Sequence, residues 1–201
     1  MNLNIVEELD INGHLTITKV HKNGFTEVVF DDHNIIVSGM GVALAHLFAL
    51  SGSDSITDYQ IDRFQLGISG GPALEVSTTN SLSSALTSLT QYGTNSNVFS
   101  VSAYQILNNA VVSITPRYYG IIPQQNITRI DPNTVRYTMV LDEEACNSDD
   151  MASASLNEIG LFVKNIKNNA TDAPILVAYR YFDAIEKTSD FSLIFRWSIN
   201  W

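Results

Sequence analysis

The last eleven residues constrain this chain most. From Phe191 the odd positions read Phe191, Leu193, Phe195, Trp197, Ile199 and Trp201, and the even positions read Ser192, Ile194, Arg196, Ser198 and Asn200. Apolar residues at every second position, broken only by Ile194, specify a strand with one buried face. A chain end frays unless something holds it. A terminal Trp in phase with the buried face therefore predicts an end pinned in a sheet or an interface. We expect the strand to be central rather than at an edge, and Trp201 to join the core because it is in phase with the rest of the face.

Turn signals organise the N-terminal part. Asn23-Gly24 is a strong two-residue hairpin signal, because both central residues of a type I′ turn need φ > 0. Such a turn pairs Lys22 with Phe25 and Ile17 with Phe30, and it puts Leu15, Ile17, Val28 and Phe30 on one face. After Asn34-Ile35-Ile36-Val37, Ser38 reads as an N-cap and Gly52 as a stop. Met40, Ala43, Leu44, Leu47 and Phe48 then share one face of a short, largely buried helix.

Beyond a polar loop at 51–62, Arg63–Ile68 reads as a strand. Residues 72–97 are dominated by Ser, Thr and Asn and form a polar excursion, with a short helix expected around Leu82–Leu89. The β pattern resumes at Val98–Leu107, Val111–Thr115, Asn126–Ile130 and Val135–Leu141, with Asp131-Pro132-Asn133 as a turn. Leu156–Val163 and Ile175–Phe182 follow. This order predicts a mainly β fold: one domain over residues 1–201, an antiparallel β-sandwich with one short buried helix after the N-terminal hairpin.

Composition narrows the function classes. Charged residues make up 16% of the chain, against roughly 25% in average soluble domains, while apolar residues make up 45%. The remaining surface is rich in Ser, Thr and Asn and is easily buried against a neighbour, because charges are depleted at interface cores. Net charge is -10 and the eleven basic residues are scattered. Phosphate neutralisation needs clustered Lys and Arg, so no nucleic-acid partner is expected, and an acidic surface argues against anionic lipid. The N-terminus carries Glu7, Glu8 and Asp10 where a signal peptide needs positive charge. No apolar run reaches the ~20 residues of a membrane span. Synthesis in a cytoplasm is therefore expected, and the sequons at Asn126 and Asn169 carry no weight.

Few side chains point to chemistry. Cys146 is the sole cysteine, which excludes an intrachain disulfide and a Cys-based zinc site from one chain. Gly67-Ile-Ser-Gly-Gly-Pro72 lacks the Gly-Lys-Ser/Thr ending of a phosphate loop and reads as a turn after a strand. Asp31, Asp32 and His33 are adjacent, and adjacent strand residues face opposite ways, so they form no convergent metal site. His14, His21, His33 and His46 match no zinc spacing and have no recognisable nucleophile partner. The acidic run Asp142, Glu143, Glu144, Asp149, Asp150 is the best place for a calcium ion, with a solvated loop as the plainer reading. Tyr118 and Tyr119, beside Arg117, form either a sugar-stacking platform or core and interface positions. No catalytic residues, cofactor or resident metal are expected.

Three segments in order resemble small structural virion proteins of tailed bacteriophages, from tails, baseplates, necks and fibre-attachment regions. The first runs Asn34-Ile-Ile-Val-Ser-Gly-Met-Gly-Val-Ala-Leu-Ala-His-Leu. The second is Phe64-Gln-Leu-Gly-Ile-Ser-Gly-Gly. The third runs from Leu156-Asn-Glu-Ile-Gly-Leu-Phe through Ile175-Leu-Val-Ala-Tyr-Arg-Tyr-Phe to Lys187-Thr-Ser-Asp-Phe-Ser-Leu-Ile-Phe-Arg-Trp-Ser-Ile. The similarity covers roughly half the chain and does not include residues 72–150. It implies a non-enzymatic virion component whose partners are other virion proteins and copies of itself, as a trimer or hexamer. A carbohydrate-binding receptor-recognition or capsid-decoration module is the alternative.

Overall fold

The terminal alternation becomes a central strand. The computed structural model describes residues 11–49, 55–67, 118–147, 155–163 and 175–201, with 38, 58 and 118–120 as backbone alone. The elements are β1 (Asn12–His21), β2 (Thr26–Ile36), α1 (Ser38–Phe48), β3 (Ile61–Gly67), β4 (Tyr118–Ile121), β5 (Ile127–Arg129), β6 (Thr134–Leu141), β7 (Ser155–Val163), β8 (Ile175–Glu186) and β9 (Phe191–Asn200), with single 3-10 turns at Ile56–Tyr59 and Gln124–Asn126. The strands form one antiparallel sheet in the order β4-β3-β7-β8-β2-β1-β9-β6-β5. The expected strands at 98–107 and 111–115, the excursion at 72–97 with its helix, Gly52 and the end of the glycine-rich turn lie outside the described residues.

β9 bonds to β1 along its whole length on one side and to β6 on the other. Phe191, Leu193, Phe195, Trp197 and Ile199 are all buried. They share one core with Leu15 and Ile17 of β1, Met139 of β6, Phe64 of β3 and Leu161 of β7. Residues from both halves of the sheet thus meet in one cluster, so the sheet is curled around its core.

β2 makes the bend. Its first part pairs with β1, whereas only Ile35 and Ile36 pair with β8. Beyond that point β2 and β8 diverge. Arg180 Nη2 on β8 donates to Asp32 Oδ2 on β2 at 2.7 Å, and Phe30 meets Phe182 with ring centroids 6.0 Å apart. On the opposite face of β7 and β8, Val37, Phe162, Leu176 and Tyr179 form a second small cluster. There the Tyr179 hydroxyl donates to Glu158 at 2.9 Å, which gives that buried carboxylate a partner.

The hairpin differs from expectation in its turn. His21 N–H donates to the Phe25 carbonyl at 2.9 Å and Gly24 N–H to the His21 carbonyl at 2.8 Å. The loop therefore has three residues, and only Gly24 takes positive φ, at 86°. A type I turn closed by a left-handed glycine is the standard solution at that length. The extra loop residue shifts the pairing, so Thr18 faces Val28. A bulge then restores Ile17 opposite Phe30. Val28 consequently leaves the core face and is 60% exposed.

α1 follows β2 directly and packs on β8. Its N-cap is Val37, with no side-chain cap bond, rather than Ser38. Val37 N–H instead donates to the Val177 carbonyl at 3.1 Å, so the sheet holds the helix entry. Met40 and Ala43 are buried, while Phe48 is 83% exposed. The helix is only partly buried, and its exposed positions are the apolar Val42, Ala45 and Phe48.

Candidate functional site

The acidic loop encloses a cation that belongs to the chain. Lys187, at the turn before β9, is 0% exposed. Its Nζ donates to the Thr188 carbonyl at 2.8 Å, the Glu143 carbonyl at 3.1 Å and Asn147 Oδ1 at 3.1 Å. An ammonium has three protons, and all three are placed. The ring of Phe191 stands 5.3 Å from Nζ. Burial pushes the Lys187 pKa down, against the pull of Cys146, Asp142 and Glu143. Loop oxygens that could face a calcium ion thus face this lysine, while the Asp142 and Glu144 side chains are exposed. Among the described residues no group of three His, Cys, Asp or Glu side chains is placed to hold a metal ion. Asp149 and Asp150 lie outside the described residues.

Cys146 sits in the same loop. It is buried, and its φ of 57° is left-handed. Burial pushes its thiol pKa up to about 12, the charge of Lys187 opposing and that of Asp142 adding. The thiolate is the reactive species, so at pH 8 the native thiol should alkylate about a thousandfold more slowly than an ordinary cysteine. Timed alkylation followed by mass measurement, with and without urea, checks this. Equal rates in the two conditions would show an open loop.

The remaining polar residues named from sequence are spread out. Asp31 and His33 share the outer face of β2 with His14 of β1, whose Nε2 lies 3.6 Å from Asp31 Oδ1. The rings of His14 and His33 meet edge to face at 5.6 Å. Asp32 faces the other way, toward Arg180, as strand alternation requires. His21 lies beside Glu27 at 3.3 Å, and His46 stacks on Tyr59 with centroids 5.2 Å apart. Tyr118 and Tyr119 occupy successive positions of the edge strand β4, paired with Leu66 and Gln65. Arg117 lies outside the described residues.

One concave feature among the described residues is mainly apolar. A cavity of about 270 Å³ opens where α1 and the Ile56–Tyr59 turn face β5 and β6. Leu44, Leu47, Ile56, Ile127, Tyr137 and Trp201 are among its walls. Trp201 packs partly against the core, and its N–H donates to the Asn133 carbonyl at 2.9 Å in the β5–β6 turn. The terminus is therefore pinned, and its indole serves both core and cavity. Burial pushes the Tyr137 phenol pKa up, so it stays neutral there. Ile56 is 60% exposed, and with Phe48 on the last turn of α1 it extends the apolar surface outward. No helix among the described residues is long and apolar enough to cross a membrane. No protein-family model, curated protein or solved structure matches the chain.

Sequence reasoning overlooked Lys187 and misplaced Phe48. The lysine stands in a short polar turn and resembles any surface cation. Phe48 has the helical spacing of a buried residue but stands exposed at the last position of α1.

Proposed function

We propose that this chain is a structural subunit of a tailed-phage virion, acting through protein–protein contacts in the tail, baseplate, neck or fibre-attachment region. The carrying observation is the apolar cavity lined by Leu44, Leu47 and Trp201, with Phe48, the residue after Leu47 in the chain, 83% exposed. An aromatic side chain left so open, next in the chain to a cavity wall, favours a contact surface over a solvated one. The low charge of the chain points the same way, since ion pairs on a surface contribute little to association. The ordered resemblance of the 34–47, 64–71 and 156–199 segments to tail and baseplate proteins supplies the virion context. The partners are other virion proteins and further copies of this chain.

Mass spectrometry of purified particles of the encoding phage tests this reading: the chain should be present in fixed stoichiometry, and absence from the particle removes the proposal. A substitution tests the surface. Phe48→Asp touches little of the core, so thermal stability should stay within about 0.5 kcal/mol. Incorporation into particles should be lost. Normal incorporation of the folded variant would place the contact elsewhere.

A further inference from the structure

We propose that Lys187 and Asn147 are the partners of an intramolecular isopeptide bond, in which the lysine amine displaces ammonia from the asparagine side-chain amide. The geometry is that of a nucleophile held against an electrophile out of water. Lys187 Nζ lies 3.1 Å from Asn147 Oδ1, and the two residues are 0% and 7% exposed. Asn147 Nδ2 donates to the Glu143 carbonyl at 2.9 Å. That bond fixes the amide plane and leaves its carbonyl end toward the amine. The Phe191 ring flanks the other side of Nζ at 5.3 Å. Neither group has freedom to leave, which is the condition under which an intramolecular reaction gains most from proximity.

The chemistry needs a neutral amine, the form that burial favours, although three oxygens surround Nζ in its protonated form. Burial lowers the proton affinity of Lys187, the usual way a lysine becomes a nucleophile. The ammonium must first give its proton to water, a step that burial favours and the charges of Asp142 and Glu143 oppose. The Nζ lone pair attacks Asn147 Cγ and a C–N bond forms. The proton passes to Nδ2, the Cγ–Nδ2 bond breaks, and ammonia leaves. One amine and one primary amide give one secondary amide and one ammonia, with no oxidant, reductant or cofactor. The product ties the loop after β6 to the turn before β9, across 40 residues of sequence. It sits at the end of the β6–β9 ladder, beyond the Leu141–Leu193 pair.

The test is the intact mass of the full, unaltered chain under denaturing conditions. It should be short of the sequence mass by one ammonia. A digest should yield a branched peptide joining the segment with Asn147 to the segment with Lys187. Lys187→Arg and Asn147→Ala should each restore the full mass of their own sequences. The full sequence mass in the unaltered chain overturns the proposal and leaves Lys187 as a hydrogen-bonded ammonium. A deficit that survives in Lys187→Arg also overturns it, because ring closure of Asn147 on its own backbone loses the same ammonia. Neither decisive result depends on the variants folding.

Discussion

A chain lacking residues 191–201 is expected to be unfolded. The segment removed is a central strand, bonded to β1 on one side and to β6 on the other. Its loss separates the β1–β2 hairpin from β6 and β5 and opens two ladders at once. Five buried side chains go with it, from Phe191 to Ile199. Burying each contributes about 1.5–3 kcal/mol. Together they rival the roughly 5–15 kcal/mol that holds a typical domain. Soluble yield, far-ultraviolet circular dichroism and gel filtration of the truncated chain measure the effect. A soluble, monodisperse, β-rich product would mean that the segment is an assembly arm and not a core strand.

Two glycines in α1 are expected to respond in opposite directions to the same change. A Cβ on Gly39 would run into the Leu176 backbone carbonyl, and it would stand 2.8 Å from Ile175 Cγ2. A main-chain oxygen in a paired strand cannot step aside without disturbing β8, so Gly39→Ala should cost about 3 kcal/mol, the upper part of the range for overpacking. A Cβ on Gly41 meets nothing within 4 Å. Gly41→Ala should instead add up to about 1 kcal/mol through helix propensity. Urea denaturation checks both: the midpoints should move apart with the slope unchanged. A neutral Gly39→Ala would mean that α1 does not lie against β8 as closely as its backbone indicates.

Much of the fold was legible where a residue's fate depended on its neighbours in sequence. Period-2 alternation identified β9 and its buried face, because a strand on one core must alternate. Turn chemistry at Asp131-Pro132-Asn133 separated β5 from β6, and there Asn133 N–H donates to Asp131 Oδ1 at 2.8 Å. The pairing of Ile17 with Phe30 was reached through a two-residue turn, and it holds because a bulge between Ile17 and Thr18 absorbs the extra loop residue. The turn type was not legible, since Asn-Gly satisfies a three-residue loop with one left-handed glycine as well as a two-residue loop.

The candidate site was less legible, for a physical reason. The apolar cavity is made by residues from α1, the 56–59 turn, β5, β6 and the C-terminus, and their meeting depends on how the sheet curls. Phe48 satisfied the helical pattern for burial and is exposed at the last position of α1. The acidic run is the clearest contrast. Sequence alone determined that carboxylates cluster after β6, as a solvated loop or, less plainly, a calcium site. Only the tertiary structure placed a cation of the chain there. The turn before β9 carries Lys187 under the loop, and a charge taken from water must be met by fixed oxygens, here those of Glu143, Asn147 and Thr188. Local pattern therefore fixed which residues form strands and which face they bury, since that requires only nearest neighbours. Tertiary closure decided which polar groups lose their water, since that depends on segments 40 residues apart.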